Sequence, residues 1–337
     1  MNILMLPVPS GKPWNGATMH QEALGGSESA VAYLARSFVR RGHVVVVATH
    51  GTPGVFDGVS YHNQVGIPNL LLADWDVLIS SRWLEILNEP WKSTTRFFWT
   101  HDLPHVDNIQ IPVDRVVFLS RFHRATWGIS DEWAAFIGNG VDTSLFYGPQ
   151  IPRNENVLVW TSNPDRGLAL ACRIFQEIRK RWPDLELHVY GRAAVYGWDA
   201  SQEAPFMPLP EHQEHVFIHE PLNKAGLAKV LREAWAWYYP TYWPETYCIA
   251  ALEAQAAGTP VISVPYGALP ETVHGGVLSW DILNAVSQLR NKSKWEKESQ
   301  AGLEFAATRD WDHVADEWLA LIELVKAGKA VADVPKQ

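Results

Sequence analysis

Apolar positions in this chain fall into two successive series, each alternating short apolar runs with amphipathic stretches. Residues 3–8 have strand character, and a Gly/Pro-containing loop then leads to Gly25-Gly26. Ser27 reads as a helix N-cap, with Glu28 favourably placed in the first turn. Ala30, Val31, Leu34, Ala35, Phe38 and Val39 recur at helical spacing as far as Arg41, and Gly42 ends the helix. Residues 44–48 read as a buried parallel strand, and residues 77–80, 96–99 and 115–119 as three more. The pattern breaks at residues 147–154, whose Gly/Pro-containing composition suits a linker.

A second series follows. Residues 156–161 predict a strand, 169–181 a helix, 185–190 and 215–220 strands, 224–233 a helix, and 260–264 a strand. Residues 311–324 predict an amphipathic helix with Val314, Trp318, Leu321, Ile322 and Val325 on one side. The chain therefore reads as two α/β domains, 1–148 and 154–309, with a last helix at about 310–326. Ligands of open parallel sheets gather at the carboxyl ends of the strands. Two such sheets are expected to face one another across a cleft.

A length of 337 residues exceeds most single cores, which agrees with two domains. The composition is 47% hydrophobic and 19% charged, so folding is expected throughout, residues 327–337 apart. Cys172 and Cys248 each lie in an apolar helical pattern, which reads as two buried thiols of a reducing compartment rather than a disulfide framework. The opening run is too short and too little basic for a leader, and no stretch reaches 18 uncharged apolar residues. A cytoplasmic monomer or homodimer is expected. The net charge of −9 argues against general nucleic-acid binding, and without a basic amphipathic helix any membrane association is peripheral at most. Among 17 tryptophans, Trp14, Trp91 and Trp243 lie in loops where a flat ring could stack on a sugar, with core or hinge packing the favoured alternative.

Five places carry candidate chemistry. Gly25-Gly26-Ser27 opens a helix after a strand and loop, so an anion can approach the backbone closely; a packing turn is the alternative. His101 follows a strand at the functional edge of the first sheet, where it can bond a sugar hydroxyl with Asp102 orienting the ring. Arg166 precedes Gly167 at a helix start, where a cation asks for an anion: phosphate, or else Asp165. Glu245 and Glu253 stand eight residues apart, the first just before a helix beginning near Thr246 and the second about two turns inside it. A separation of roughly 10 Å at ~1.5 Å rise per residue exceeds that of a retaining hydrolase pair, and suits two parts of one long ligand. No metal site is evident, since His188, His212, His215 and His219 lack ligand spacing.

With these residues in place, the chain resembles the retaining glycosyltransferases of family four, which have the GT-B fold of two Rossmann-like domains. Glu245 and Glu253 match its E-x7-E motif, and Gly267-Ala268-Leu269-Pro270-Glu271 resembles its GGxPE stretch. Gly25-Gly26-Ser27-Glu28 is similar to the diphosphate loop of the first domain, and Asn139-Gly140-Val141-Asp142 to the segment closing that domain. The resemblance implies a nucleoside-diphosphate sugar as donor (UDP-, GDP-, ADP- or TDP-linked), no tightly bound cofactor, and a hydroxyl acceptor on a glycan, lipid, small metabolite or modified nucleic acid. It implies that Glu253 holds the ribose, and that Glu245 with the Thr246-Tyr247-Cys248 segment holds sugar and phosphate. His101 would lie near the transferred sugar, and Arg166 would neutralise the leaving diphosphate.

Two departures stand out. Thr161 and Ser162 occupy the place of a usual arginine, and Arg166 that of a lysine, so Arg121 or Arg192 is expected to restore the missing charge. Gly138 replaces a common proline. The competing readings are an inactive scaffold or carbohydrate-binding protein, and a nucleotide-sugar epimerase.

Overall fold

The computed structural model describes residues 1–9, 11–104, 112–149 and 151–328. The chain divides into two units, Met1–Gly140 with the segment from Trp311 onwards, and Val141–Asp310.

The first unit is built on strand β1 (Asn2–Pro7), whose Ile3, Leu4, Met5 and Leu6 are wholly buried. Strands β2 (Val44–Thr49), β3 (Gly54–Phe56), β4 (Val59–Asn63), β5 (Asp74–Ser81), β6 (Lys92–Trp99), β7 (Arg115–Phe118) and β8 (Ala134–Phe136) complete its sheet. The order is β3-β4-β2-β1-β5-β6-β7-β8, parallel except for the β3–β4 hairpin at one edge. Strand order therefore reverses between β1 and β5, the place where doubly wound sheets open for ligands. The helix after β1 is Gly26–Arg40, with Gly25 as its N-cap. Ser27 is thus inside the first turn and not the cap. Its hydroxyl donates to the Glu28 carboxylate at 3.0 Å.

The helix Trp311–Lys326 belongs to this unit. Trp311 stacks on Tyr33 at 5.9 Å between ring centres, and Trp318 meets Phe97 and Trp99 edge-on at 5.7 and 5.3 Å. Arg41 forks the Asp316 carboxylate through Nε at 2.5 Å and a terminal nitrogen at 2.7 Å, and Arg40 pairs with Asp312. Apolar stripe and charged border both fit the amphipathic pattern of that segment.

The second unit holds β9 (Asn154–Trp160), β10 (Glu186–Val189), β11 (Val216–Ile218), β12 (Ala234–Tyr239), β13 (Val261–Ser263) and β14 (Gly276–Leu278). All pairings are parallel, in the order β11-β10-β9-β12-β13-β14. This is the Rossmann order, with the reversal between β9 and β12. The unit begins at Val141, ahead of the linker-like stretch 147–154. Val141 donates its N–H to Arg309 O at 2.9 Å and Thr143 donates to the Asp310 carboxylate at 3.2 Å, so local hydrogen bonds hold the start of this unit to its end.

Two expectations for the helix behind β12 change. It runs Ile249–Ala256, and its N-cap is Cys248 in left-handed backbone (φ 75°), which stops helical geometry from extending back to Thr246. Cys248 is consequently outside the helix, and Glu253 lies little more than one turn inside it, not two. Cys172 does sit inside a helix, Leu168–Arg179, where burial pushes its thiol up to about 12. Trp14 and Trp91 are core residues, leaving Trp243 as the half-buried member of the three loop tryptophans.

Candidate active site

Arg166 and Glu245 meet at the reversal point of the second sheet. Arg166 comes from the turn after β9, and Glu245 from the loop after β12. One terminal guanidinium nitrogen donates to both Glu245 oxygens, at 3.0 and 3.1 Å. Glu245 is 3% exposed, whereas the Arg166 side chain keeps 30% of its surface. Burial alone would lower the arginine pKa, but the adjacent Glu245 carboxylate outweighs it and holds the guanidinium well above its ordinary value. The carboxylate partner of Arg166 is therefore Glu245, not Asp165.

Tyr239, the last residue of β12, completes the cluster by donating its hydroxyl to Glu245 Oε1 at 2.5 Å. Burial, reinforced by the Glu245 charge, raises the phenol well above its usual range, so it stays a donor. Ser162 in turn donates to the Tyr239 oxygen at 3.3 Å, and Trp237 donates to Thr161 at 2.9 Å. These bonds give Thr161 and Ser162 a use: they tie the exit of β9 to the aromatic side chains of β12. Trp243 lies 5.4 Å from the Arg166 guanidinium carbon, close enough for a cation–π contact that steadies the same side chain.

Gly267 explains how the next loop reaches this cluster. A Cβ there would stand 2.6 Å from Glu245 N and 2.8 Å from Glu245 O, and its φ of +63° is left-handed. The neighbouring Ala268 N–H donates to Glu245 O at 2.8 Å. The backbone that carries Glu245 is thus braced from the β13 side, with Thr272 bonding Tyr247 O beside it.

Glu253 is 4% exposed and forms an ion pair with Lys224, the first residue of the helix Lys224–Glu233. A lysine at a helix start opposes the helix dipole, so Glu253 is what makes the position tolerable. Arg192, a candidate for the missing charge, is committed elsewhere: it forks the buried Glu203 at 2.7–3.0 Å. Arg121 belongs to the first unit.

In the first unit, His101 follows β6 and packs against Trp99 at 4.5 Å between ring centres. Burial, then the positive Arg82 and neighbouring His123, hold its pKa well below the ordinary value, so the ring is neutral near pH 7. Asp102 does not orient His101 through its carboxylate. That group pairs with Arg82 Nε at 2.6 Å, while the Asp102 carbonyl accepts from His123 Nε2 at 2.8 Å and Trp127 Nε1 at 3.0 Å. Arg82 also donates to Ser27 at 3.1 Å and lies 3.5 Å from Glu28, which places a cation at the helix start opened by Gly25 and Gly26.

The partners Tyr239, Lys224 and Arg82 were not singled out by sequence pattern. Arg82 leaves one trace, as a charged residue directly after the buried strand β5. Its φ of +64°, unusual for a non-glycine residue, is visible in the structure alone. His188 and His219 also come together, 3.0 Å apart on neighbouring strand ends. Among the described residues, no group of three or more His, Cys, Asp or Glu could hold a metal ion. No helix among them is long and apolar enough to cross a membrane.

Comparison with known proteins places this arrangement in context. The family model described as "Glycosyl transferases group 1" matches residues 155–291. A D-inositol 3-phosphate glycosyltransferase of Mycolicibacterium vanbaalenii is 31% identical over 173 residues, 45% of this chain and 36% of that relative's length. The chain thus spans little more than a third of that curated relative. Sucrose-phosphate synthase from Thermosynechococcus elongatus superposes with a TM-score of 0.76 at 17% identity, covering 98% of this chain and 100% of the other. Anabaena HepE in complex with UDP-glucose gives 0.72 at 14%, covering 96% and 99%. The structural likenesses establish the same fold, and the family-model match falls on the unit that carries Arg166, Glu245 and Glu253. Residues 155–291 are thus similar to the group 1 glycosyltransferases, and the chain has the two-domain fold known as GT-B.

Proposed function

We propose that this chain transfers a sugar from a nucleoside-diphosphate sugar to an acceptor hydroxyl, with the anomeric configuration retained and without a metal. The Arg166–Glu245 pair at the reversal point of the second sheet carries this reading. A diphosphate arriving there meets a guanidinium that is charged, partly open and already held in place. The backbone around Thr246, Tyr247 and Cys248, at the start of the helix Ile249–Ala256, supplies amide donors of the kind that helix starts leave without internal partners.

Glu253 would receive the ribose hydroxyls, and Glu245 would serve the transferred sugar while fixing Arg166. In the first unit, neutral His101 would bond a hydroxyl of that sugar, and Gly25, Gly26 and Ser27 would present the helix start to phosphate oxygen. In the reaction, the bond from anomeric carbon to phosphate oxygen breaks as the acceptor oxygen bonds to the same face. The departing phosphate takes the acceptor proton, and Arg166 stabilises its charge.

HepE holds UDP-glucose, which makes a UDP-linked sugar the first donor to test, before GDP-, ADP- and TDP-linked ones. The name of the inositol-phosphate relative makes D-inositol 3-phosphate the first acceptor, among glycans, lipids, metabolites and modified nucleic acids. The test is release of nucleoside diphosphate from each donor, with and without acceptor, with the product's anomeric proton read by NMR. Turnover abolished by Arg166→Gln and weakened by Glu253→Gln is expected. If none of these donors is consumed or raises the melting temperature, the reading fails.

A further inference from the structure

The second unit contains a cavity of about 690 Å³ away from the Arg166 cluster, at the opposite, amino-terminal end of its strands. It borders the segment leading into β9, the start of β12 and the end of the helix Ile249–Ala256. Arg153, Arg232, Arg290 and Lys292 line it with only two acids, Glu155 and Glu296. That excess of positive charge stands out in a chain of net charge −9.

The arginines do not share one explanation. Arg153 is structural: it donates to the carbonyls of Leu231, Ala234 and Ala257 at 2.6–3.1 Å and to Thr259 at 2.7 Å. Burial, with the charge of Arg232 beside it, lowers its pKa to about 10. Arg232 and Arg290 have no carboxylate within ion-pair distance among the described residues, and the Nε of each is buried without a hydrogen-bond partner. Arg290 spends one nitrogen on Glu155 O at 3.1 Å and lies 4.3 Å over the Trp235 ring. Trp295 forms another wall, with the Arg153 guanidinium 5.2 Å from its ring. Two half-buried arginines, neither in an ion pair and each with a buried Nε that donates to nothing, are costly unless an anion joins them.

We infer that this cavity is a second ligand site, which takes a small organic phosphate. Arg232 and Arg290 grip the phosphate oxygens, and Trp235 and Trp295 enclose an apolar or planar body. The volume falls in the range of small-molecule pockets, which favours a metabolite over a protein segment. Paired arginines suit phosphate because each presents a planar fork of donors.

Calorimetric titration of the full chain with phenyl phosphate tests the inference, with inorganic phosphate in parallel. Phenyl phosphate should bind at least tenfold more tightly than inorganic phosphate. Its affinity should fall at least tenfold in Arg232→Ala and in Arg290→Ala, and stay within twofold in Arg166→Gln. In the unsubstituted protein, phenyl phosphate should slow phenylglyoxal modification of Arg232 and Arg290, read by peptide mass spectrometry. That second measurement decides the matter even if a variant does not fold. Lack of protection at both arginines, unchanged binding in the folded variants, or equal affinity for inorganic phosphate overturns the inference. So does preference for a decaglutamate peptide, which would assign the arginines to an acidic protein partner.

Discussion

Lys224 and Glu253 form an ion pair in which the lysine side chain is 12% exposed and the glutamate 6%. Lys224 opens its helix, where a positive charge opposes the dipole, and Glu253 is the fifth of the eight residues of its own. Removing one partner strands the other. Lys224→Met should lower the unfolding free energy by about 3 kcal/mol, and Lys224→Met with Glu253→Leu should recover most of it. Urea denaturation of the three proteins checks this. Equal stability of single and double variants would show the two charges to be independent.

Tyr239 and Glu245 give a second expectation. Tyr239→Phe deletes one buried donor to a carboxylate that retains its arginine, so a loss of about 2 kcal/mol in stability is expected. Affinity for nucleoside diphosphate should fall less than in Arg166→Gln, because the cation survives. Melting curves with and without UDP measure both. A phenylalanine variant as stable as the parent would mean that the hydroxyl contributes nothing to holding Glu245.

Gly267→Ala acts on the same carboxylate through the backbone. The added carbon collides with the Glu245 main chain and forces a left-handed alanine, at a cost of roughly 1–3 kcal/mol. Since Ala268 N–H also anchors Glu245 O, the variant should lose diphosphate binding as well as stability. Gly328→Ala, another left-handed glycine but with open space around it, serves as the control for backbone strain alone. Loss of binding in Gly328→Ala to the same extent would remove any special place for Gly267.

His123 sets a pH window. Burial lowers its pKa to about 4, partly opposed by its bond to the Asp102 carbonyl. Leu119 N–H donates to Nδ1, so the neutral ring carries its proton on Nε2. The folded protein then resists protonation that the unfolded chain accepts at about pH 6.5. Stability is complete above that value, declines as the pH falls towards about 4, and levels off below, a total of about 3 kcal/mol from this residue. His123→Gln should flatten that part of the profile in denaturation measurements between pH 4 and 7. An unchanged slope would place the titration elsewhere.

How far the sequence reveals these arrangements depends on the range of each signal. Interior strands such as β1, β2 and β9 are contiguous apolar runs because both faces are covered, so each is legible from its own residues. The hairpin β3–β4 and strands β8 and β14 are short and lie at or near sheet edges, where half-exposed positions erase the pattern. The helix Lys292–Ala307 escaped because it buries Glu298, Ser299, Gly302 and Ala306 and presents no apolar stripe. In the candidate site, Arg166, Glu245 and Glu253 sit in recognisable local settings. Their partners do not: Arg166 and Glu245 are 79 positions apart, and Lys224 and Glu253 are 29. Only the order of strands brings them together, and no local spacing encodes that.

The first unit owes part of its interior to a segment that follows the second unit in the chain. Phe97, Trp99 and Tyr33 find their aromatic neighbours Trp318 and Trp311 on a helix that is made after the whole second unit. During synthesis, the earliest sheet must therefore wait with that flank bare until the helix Trp311–Lys326 has left the ribosome. A chain released at Asp310 would carry a complete second unit with an incomplete first one, a species for chaperones to shield or proteases to clear.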